Sequence, residues 1–303
     1  MAAAAARPLV AVDWGTSSLR GALFAPDGRV LEEQSFERGI LTVERGGFAT
    51  VFEACFDRWM RPPGSFCLIS GMAGSQQGWR EAPYCPCPAG QPDVAARLTW
   101  IEPGRIALVP GLSCEHGGVP DVMRGEETQV FGALQLLGLN DGLLVLPGTH
   151  SKWVRVRAGR IENFATFMTG EFYALLRQHS ILARTLPADD AEPDDDAFAQ
   201  GVARALQGPG LLHSAFSTRT LSLFNRMAGP ALASYLSGLV IGEELRAQPL
   251  DAGSEVIVIG APALTRRYAL ALPQRGLRAR CLGPEATWCG LRALANTLHQ
   301  DAP

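Results

Sequence analysis

No apolar run in this chain approaches the roughly 18–20 residues that a membrane-spanning helix needs. A basic footprint is missing too. Against 27 Lys and Arg stand 30 Asp and Glu, a formal net charge of −3, which points away from nucleic acid as a partner. The start, MAAAAARPLVAVDW, places its one cation after the alanines and stops being apolar at Asp13, so it does not read as a signal peptide. The 7 cysteines, Cys55, Cys67, Cys85, Cys87, Cys114, Cys281 and Cys289, are odd in number and irregularly spaced. Cys85 and Cys87 stand too close for a zinc knuckle, and no second pair lies at metal spacing. The expectation is free thiols in a reducing cytoplasm, most of them buried as small hydrophobes. Two nucleotide signatures are absent as well. There is no G-x-x-x-x-G-K-[ST], which excludes a Walker ATPase, and no G-x-G-x-x-G after the first apolar run, which leaves dinucleotide binding unsupported.

What is present suits a folded α/β protein. Apolar residues make up 47% and charged residues 19% of 303 residues, enough for two domains with full cores and too apolar for general disorder. Leu9–Val12, residues 19–23 and RVLEEQSF predict a strand meander, with a proline-glycine turn at Ala25–Gly28. FATVFEACFDRWM predicts a helix with Phe52, Phe56 and Trp59 on one face. SFCLISGMAG predicts a buried strand running into a Gly-rich loop, and RIALVPGL another strand. A helix follows over 125–137. The pattern then restarts with strands at Leu143–Leu146 and Trp153–Val156. GEFYALLRQHSIL predicts a helix with Phe172, Leu175, Leu176, His179 and Leu182 on one side, His179 as a core histidine. The acidic stretch Pro187–Asp196 predicts a solvated connection. Helices are expected at Phe198–Leu206, Leu211–Met227 and Ala231–Leu245, the last with Gly238 and Gly242 allowing close helix approach. EVIVIGAPALTRRYALAL predicts strand, tight turn and helix, and the tail is helical. The expected division is two lobes, 1–140 and 141–303, with the last helix able to return to the first lobe. Helical apolar faces can serve as core or as a homodimer interface.

Two stretches carry chemistry. VAVDWGTSSLR and LLVLPGTHSKWV each drive an apolar run into a turn of glycine and hydroxyl residues followed by a cation. Such turns present backbone N–H groups and hydroxyls to phosphate oxygens. Gly15 and Gly148 let the backbone come close, Thr16, Ser17, Ser18, Thr149 and Ser151 add hydrogen bonds, and Arg20 and Lys152 add charge. Either turn alone is an ordinary hairpin; the pair suggests two half-sites for one ligand. Asp13 is a poor neighbour for phosphate unless a cation intervenes, which is how Mg²⁺ is held by one carboxylate, waters and phosphate oxygens. The residues therefore suggest a magnesium-bound polyphosphate.

AVDWGTSSLR resembles the first phosphate motif of the actin-like ATPase and sugar-kinase superfamily, LPGTHSKW its second, and VIVIGAPAL its adenosine motif. DWGTSSLR, SGMAGSQQGW, VMRGEETQ, PGTHSKWV, MTGEFYALL and YLSGLVIGEEL, in that order, resemble the 2-dehydro-3-deoxygalactonokinase family over nearly the whole chain. The adenosine motif departs from the common form, with Ala261 where a second glycine is usual. The resemblance implies a two-lobed α/β fold (ribonuclease H-like, each lobe a mixed sheet flanked by helices) around a cleft. It also implies transfer of the γ-phosphoryl of ATP, with Mg²⁺, to the 6-hydroxyl of 2-dehydro-3-deoxy-D-galactonate.

The stretch MRGEETQVFGAL offers Glu126 and Glu127 as candidate bases. The resemblance to sugar kinases, which place an acid in a similar Gly-acid segment before the second phosphate turn, implies Glu126 when matched from Gly125, with Glu127 and Asp13 as alternatives; both glutamates equally suit the first turn of a helix. Arg124 can hold the substrate carboxylate through paired hydrogen bonds or pair with Glu126 or Glu127. Ser75, Gln76 and Gln77 are candidates for sugar hydroxyls, with Trp79 as an apolar wall. Thr169, Gly170 and Glu171 either line the cleft or cap a helix. His150 supplies a hydrogen bond or packing in the second turn. Gly260, Ala261 and Pro262 flank the adenine. Competing readings are a nucleotide-binding regulatory or chaperone-like module of the same superfamily, and a kinase for another sugar or sugar acid.

Overall fold

The computed structural model describes residues 8–187 and 192–300. The first seven residues weighed as a leader, and residues 188–191 of the acidic connection, lie outside the described residues. The chain forms two compact units: Met1–Asp141 with Val154–Phe164 and Pro284–Pro303, and Gly142–Trp153 with Ala165–Gly283.

In the first unit the meander forms as its pattern predicts. β1 (Leu9–Trp14), β2 (Leu19–Phe24) and β3 (Val30–Phe36) pair antiparallel, and the turn closes with the Gly28 N–H donating to the Ala25 carbonyl at 2.9 Å. β1 is a continuous apolar run because both its faces are covered. α1 (Phe48–Met60) lays Phe52, Phe56 and Trp59 into the core. β4 (Phe66–Gly71), buried along its whole length, pairs in parallel with β1. Next come β5 (Cys85–Pro86), a short helix α2 (Gln91–Ala95), β6 (Thr99–Glu102) and β7 (Ile106–Leu108), giving a sheet of order β3-β2-β1-β4-β7-β6. β8 (Leu112–His116) and β9 (Val119–Met123) join β5 in a small sheet. β9 runs directly into Arg124 and then α3 (Glu126–Leu137).

A second sheet has the order β12-β11-β10-β13-β14. Its first strands are β10 (Gly142–Leu146), β11 (Ser151–Arg157) and β12 (Arg160–Phe167). The helices α4 (Thr169–His179), α5 (Asp195–Gln207), α6 (Leu211–Ser214), α7 (Ser217–Leu223) and α8 (Gly229–Ala247) follow. β13 (Glu255–Ile259), α9 (Pro262–Ala271) and β14 (Arg278–Leu282) complete the second unit, β13 pairing in parallel with both β10 and β14. α5 and α8 touch backbone to backbone: a Cβ on Gly238 would stand 2.1 Å from the Phe198 carbonyl oxygen, so glycine is required there. The last helix, α10 (Glu285–Gln300), packs on α3 in the first unit, where a Cβ on Gly132 would meet the Ala286 carbonyl oxygen at 1.8 Å.

Several expectations need correction. The predicted helix Leu211–Met227 is broken into α6 and α7. On α4, Tyr173 and Leu176 pack inward, while Phe172, Leu175 and His179 are exposed. The inward face is therefore rotated by about one residue, and His179 is no core histidine. The cysteines are free, but only Cys67 and Cys85 are fully buried and Cys281 is exposed. Among the described residues, no helix is long and apolar enough to cross a membrane.

Candidate functional site

At the end of β1, the backbone leaves the sheet through Gly15–Ser18. The Gly15 N–H donates to the Ser18 carbonyl at 2.9 Å, and the Ile40 N–H donates to the Gly15 carbonyl at 3.0 Å. Thr16, Ser17 and Ser18 are exposed. Gly39 lies flat against them: a Cβ there would sit 2.2 Å from the Thr16 carbonyl oxygen. Arg20 does not extend the turn's donor set. It faces Asp13 across the hairpin register and ion-pairs with its Oδ2, and its guanidinium lies 5.7 Å from the centre of the Trp288 ring.

Three backbone segments stack behind Asp13. Gly71, at φ 91°, lies so close that a Cβ would stand 2.7 Å from the Trp14 carbonyl oxygen and 3.2 Å from Asp13 Oδ1. Gly125, at φ 104°, would in turn place a Cβ 3.3 Å from Gly71 Cα. These approaches carry the N-terminus of α3 to the ends of β1 and β4. Two glutamates fold back there: the Arg124 N–H donates to Glu126 Oε2 at 3.0 Å, and the Gly125 N–H to Glu127 Oε2 at 2.7 Å. Thr128 Oγ1 donates to the Gly125 carbonyl at 2.6 Å and lies 3.1 Å from Ser70 Oγ. The two acids differ in surroundings. Glu126 is half-buried. Glu127 is fully buried, and burial, followed by the charge of Glu126, pushes its carboxyl up to about 8; its Oε1 has no hydrogen-bond partner.

Arg124 is held at one end and one face. Its Nη2 donates to the Ala82 carbonyl at 2.8 Å, and its guanidinium carbon lies 4.4 Å from the centre of the Tyr84 ring. Its Nε and Nη1 are buried without hydrogen-bond partners among the described residues, as is Ser75 Oγ in the loop after β4. A Cβ on Gly74 would come within 2.8 Å of that Nη1, so Gly74, next to Ser75, lies against the same guanidinium. Gln76 and Gln77 are exposed. Trp79 does not stand as a free wall: its ring packs 5.5 Å from that of Phe52 and 6.2 Å from that of Trp14, against the core of the unit.

In the second unit, the turn Pro147–His150 joins β10 to β11. Gly170 covers it so closely that a Cβ would stand 2.5 Å from the Gly148 carbonyl oxygen, and the Glu171 N–H donates to the Thr149 carbonyl at 3.1 Å. His150 Nε2 donates to Glu171 Oε2 at 2.6 Å. Thr149 is exposed, but Ser151 turns inward. Its hydroxyl donates to buried Glu244 Oε1 at 2.9 Å, as does Trp153 Nε1 at 2.6 Å. Tyr268 OH donates to Glu244 Oε2 at 2.8 Å, and Thr169 Oγ1 donates to the same oxygen. Burial raises the Glu244 carboxyl against the lowering effect of these four donors. Lys152, the only lysine in the sequence, is nearly buried and donates to Thr166 Oγ1 at 2.7 Å. Gly260 sits beside Pro147, and Ala261 is the exposed residue just before α9. A cavity of about 60 Å³ is lined by Pro147, Gly148, Gly170, Tyr173, Ser237 and Arg267, among others. The last three lie inside quoted stretches but do not stand out there as site residues, because a helix position in contact with a turn leaves no local signature of that contact.

The model of the 2-keto-3-deoxy-galactonokinase family matches residues 13–294. The chain belongs to this family. It is thus a kinase, a phosphotransferase. A Rhizobium meliloti (strain 1021) protein assigned as a 2-dehydro-3-deoxygalactonokinase is 38% identical, over 95% of this chain and 96% of its own. The 2-dehydro-3-deoxygalactonokinase of Escherichia coli (strain K12) is 33% identical, over 95% of this chain and 98% of its own. A crystal structure assigned to the same activity, from Sinorhizobium meliloti, superposes with a TM-score of 0.88 at 37% identity, covering 96% of this chain and 99% of that one. The fold reaches further: (R)-2-hydroxyglutaryl-CoA dehydratase component A from Acidaminococcus fermentans shares it at a TM-score of 0.52 and 13% identity, over 97% of each chain. The architecture is α/β, with mixed sheets flanked by helices.

Proposed function

We propose that this family member transfers the γ-phosphoryl of Mg-ATP to the 6-hydroxyl of 2-dehydro-3-deoxy-D-galactonate, in the cytoplasm. The observation that carries the sugar-acid reading is the donor set of Arg124 Nε, Arg124 Nη1 and Ser75 Oγ, buried with no partner among the described residues. Buried donors of this kind are rarely left unmatched, and a guanidinium matches a carboxylate in shape and charge.

Glu126 is the base in this reading. It is half-buried, whereas the burial that raises the Glu127 carboxyl favours a protonated acid at neutral pH, unable to accept a proton. The 6-hydroxyl oxygen forms a bond to the γ-phosphorus, the bond from that phosphorus to the bridging oxygen breaks, ADP departs with the electron pair, and the hydroxyl proton passes to Glu126. Thr16, Ser17, Ser18, Gly148 and Thr149 are the phosphate donors in this reading. The cavity beside Pro147 and Gly148 takes part of the nucleoside.

Among the described residues no cluster of three metal-ligating side chains occurs. That fits Mg²⁺ arriving with the nucleotide and meeting the single carboxylate of Asp13. Mg²⁺ supplies charge neutralisation on the transferring phosphoryl. Arg20 orients the Asp13 carboxylate by its ion pair.

A coupled assay of ADP formation across 2-keto-3-deoxy sugar acids, other sugar acids and neutral sugars tests the proposal. Sugar-acid-dependent turnover is expected. Sugar-independent hydrolysis would instead indicate a regulatory or chaperone-like module, and preference for a different acceptor would reassign the substrate.

A further inference from the structure

We infer that Tyr84 is a positioning residue that makes the acceptor site selective for an acid over a neutral sugar. The inference rests on the reading above that Arg124 binds the substrate carboxylate. It goes beyond that reading because it concerns how the guanidinium is held.

Residues 82–84 grip Arg124 twice. The Ala82 carbonyl takes Nη2 at 2.8 Å, and the Tyr84 ring lies beneath the guanidinium at 4.4 Å. The first contact fixes one corner and the second fixes the plane. Gly74 closes in near Nη1, where a Cβ would approach to 2.8 Å. Tyr84 has its own seat. A Cβ on Gly111 would press on its ring at 2.8 Å and on the Met123 carbonyl oxygen at 2.3 Å, so only glycine lets the ring lie there beside the residue preceding Arg124. The Cys85 N–H donates to the Gly111 carbonyl at 2.8 Å and ties the segment down.

A carboxylate pairs with a guanidinium only when it enters the guanidinium plane, because the N–H vectors lie in that plane. A flexible arginine spends its binding energy on ordering its own side chain. The aromatic face under Arg124 supplies both the plane and an attraction for the positive charge. A neutral sugar, which offers no planar anionic group, gains little from this arrangement. Tyr84 is 40% exposed, while Arg124 Nε and Nη1 are buried.

The test compares Tyr84→Leu, Tyr84→Phe and Arg124→Ala in steady-state kinetics with the sugar acid and with its neutral alditol-type analogue. Tyr84→Leu is expected to raise KM for the sugar acid by about tenfold, the size of one cation–aromatic contact. It should leave KM for ATP unchanged and reduce the ratio of acid to neutral kcat/KM. Tyr84→Phe, which keeps the ring, should restore the wild-type ratio. Should Tyr84→Leu melt below the assay temperature, Tyr84→Met provides the same removal of the ring with a more adaptable side chain. If Arg124→Ala raises KM for the acid but the ring-less variants do not, the positioning role of Tyr84 is wrong and the carboxylate reading stands. If Arg124→Ala also leaves that KM unchanged, the carboxylate reading itself fails.

Discussion

The backbone N–H of Gly125 donates to Oε2 of Glu127 at 2.7 Å, and the rest of that carboxyl group is sealed inside the first unit. Backbone donors do not offset the loss of water around a charge, and with the charge of Glu126 alongside, the carboxyl is pushed up to about 8 from the usual 4.5. Between these values the folded protein holds a proton that the unfolded chain has released. Stability therefore falls as pH rises from about 4.5 to about 8 and levels off above. Glu127→Gln removes that dependence. Chemical denaturation across this range should give a flatter stability curve for the variant than for the wild type; parallel curves would show that Glu127 is ionised in the fold.

The neighbouring acid carries a different expectation. Glu126→Gln should lower kcat by about a hundredfold or more, the usual worth of a general base, with little change in nucleotide binding measured by titration. A larger kcat loss in Glu127→Gln would transfer the base role to the buried residue.

Asp13 and Arg20 face each other on paired strands, and Asp13 sits one glycine away from α3 through Gly71. Asp13→Asn should abolish most turnover while circular dichroism and melting stay close to wild type. Retained activity would remove Asp13 from the handling of Mg-ATP.

Glu244 gathers Ser151, Trp153, Thr169 and Tyr268 around one buried carboxylate. Glu244→Leu strands four buried donors at once and should cost about 3 kcal/mol or more of stability. Glu244→Gln keeps one acceptor oxygen and should cost less. Equal melting of the two variants would show that the network contributes packing alone.

Much of the fold was legible because local patterns determine it. The meander, the buried strand β4, α3 and the close approach at Gly238 follow from period, turn chemistry and glycine placement, whereas the parallel pairing of β4 with β1 has no local signal. The break between α6 and α7 was not, because nothing in LLHSAFSTRTLSLFNRM marks a stop. The face of α4 was misjudged because Phe172 and Leu175 are apolar yet unpartnered among the described residues of the unit. Site residues in turns were readable as Gly-Thr patterns, but side-chain direction was not: Ser151 and Lys152 continue into β11, whose alternation and neighbours turn them inward. The contrast between Glu126 and Glu127, adjacent and chemically alike in sequence, arises from tertiary burial alone. Tyr84 and the helix positions Tyr173, Ser237 and Arg267 gain meaning only once distant segments meet.

The most direct measurement is the proton-coupled ³¹P spectrum of the product formed from ATP and 2-dehydro-3-deoxy-D-galactonate. Phosphate on the 6-hydroxyl is a primary ester, and its signal should split into a triplet from the paired C6 protons. A doublet from a secondary ester, or a signal of inorganic phosphate with the sugar acid unchanged, would contradict transfer to that hydroxyl.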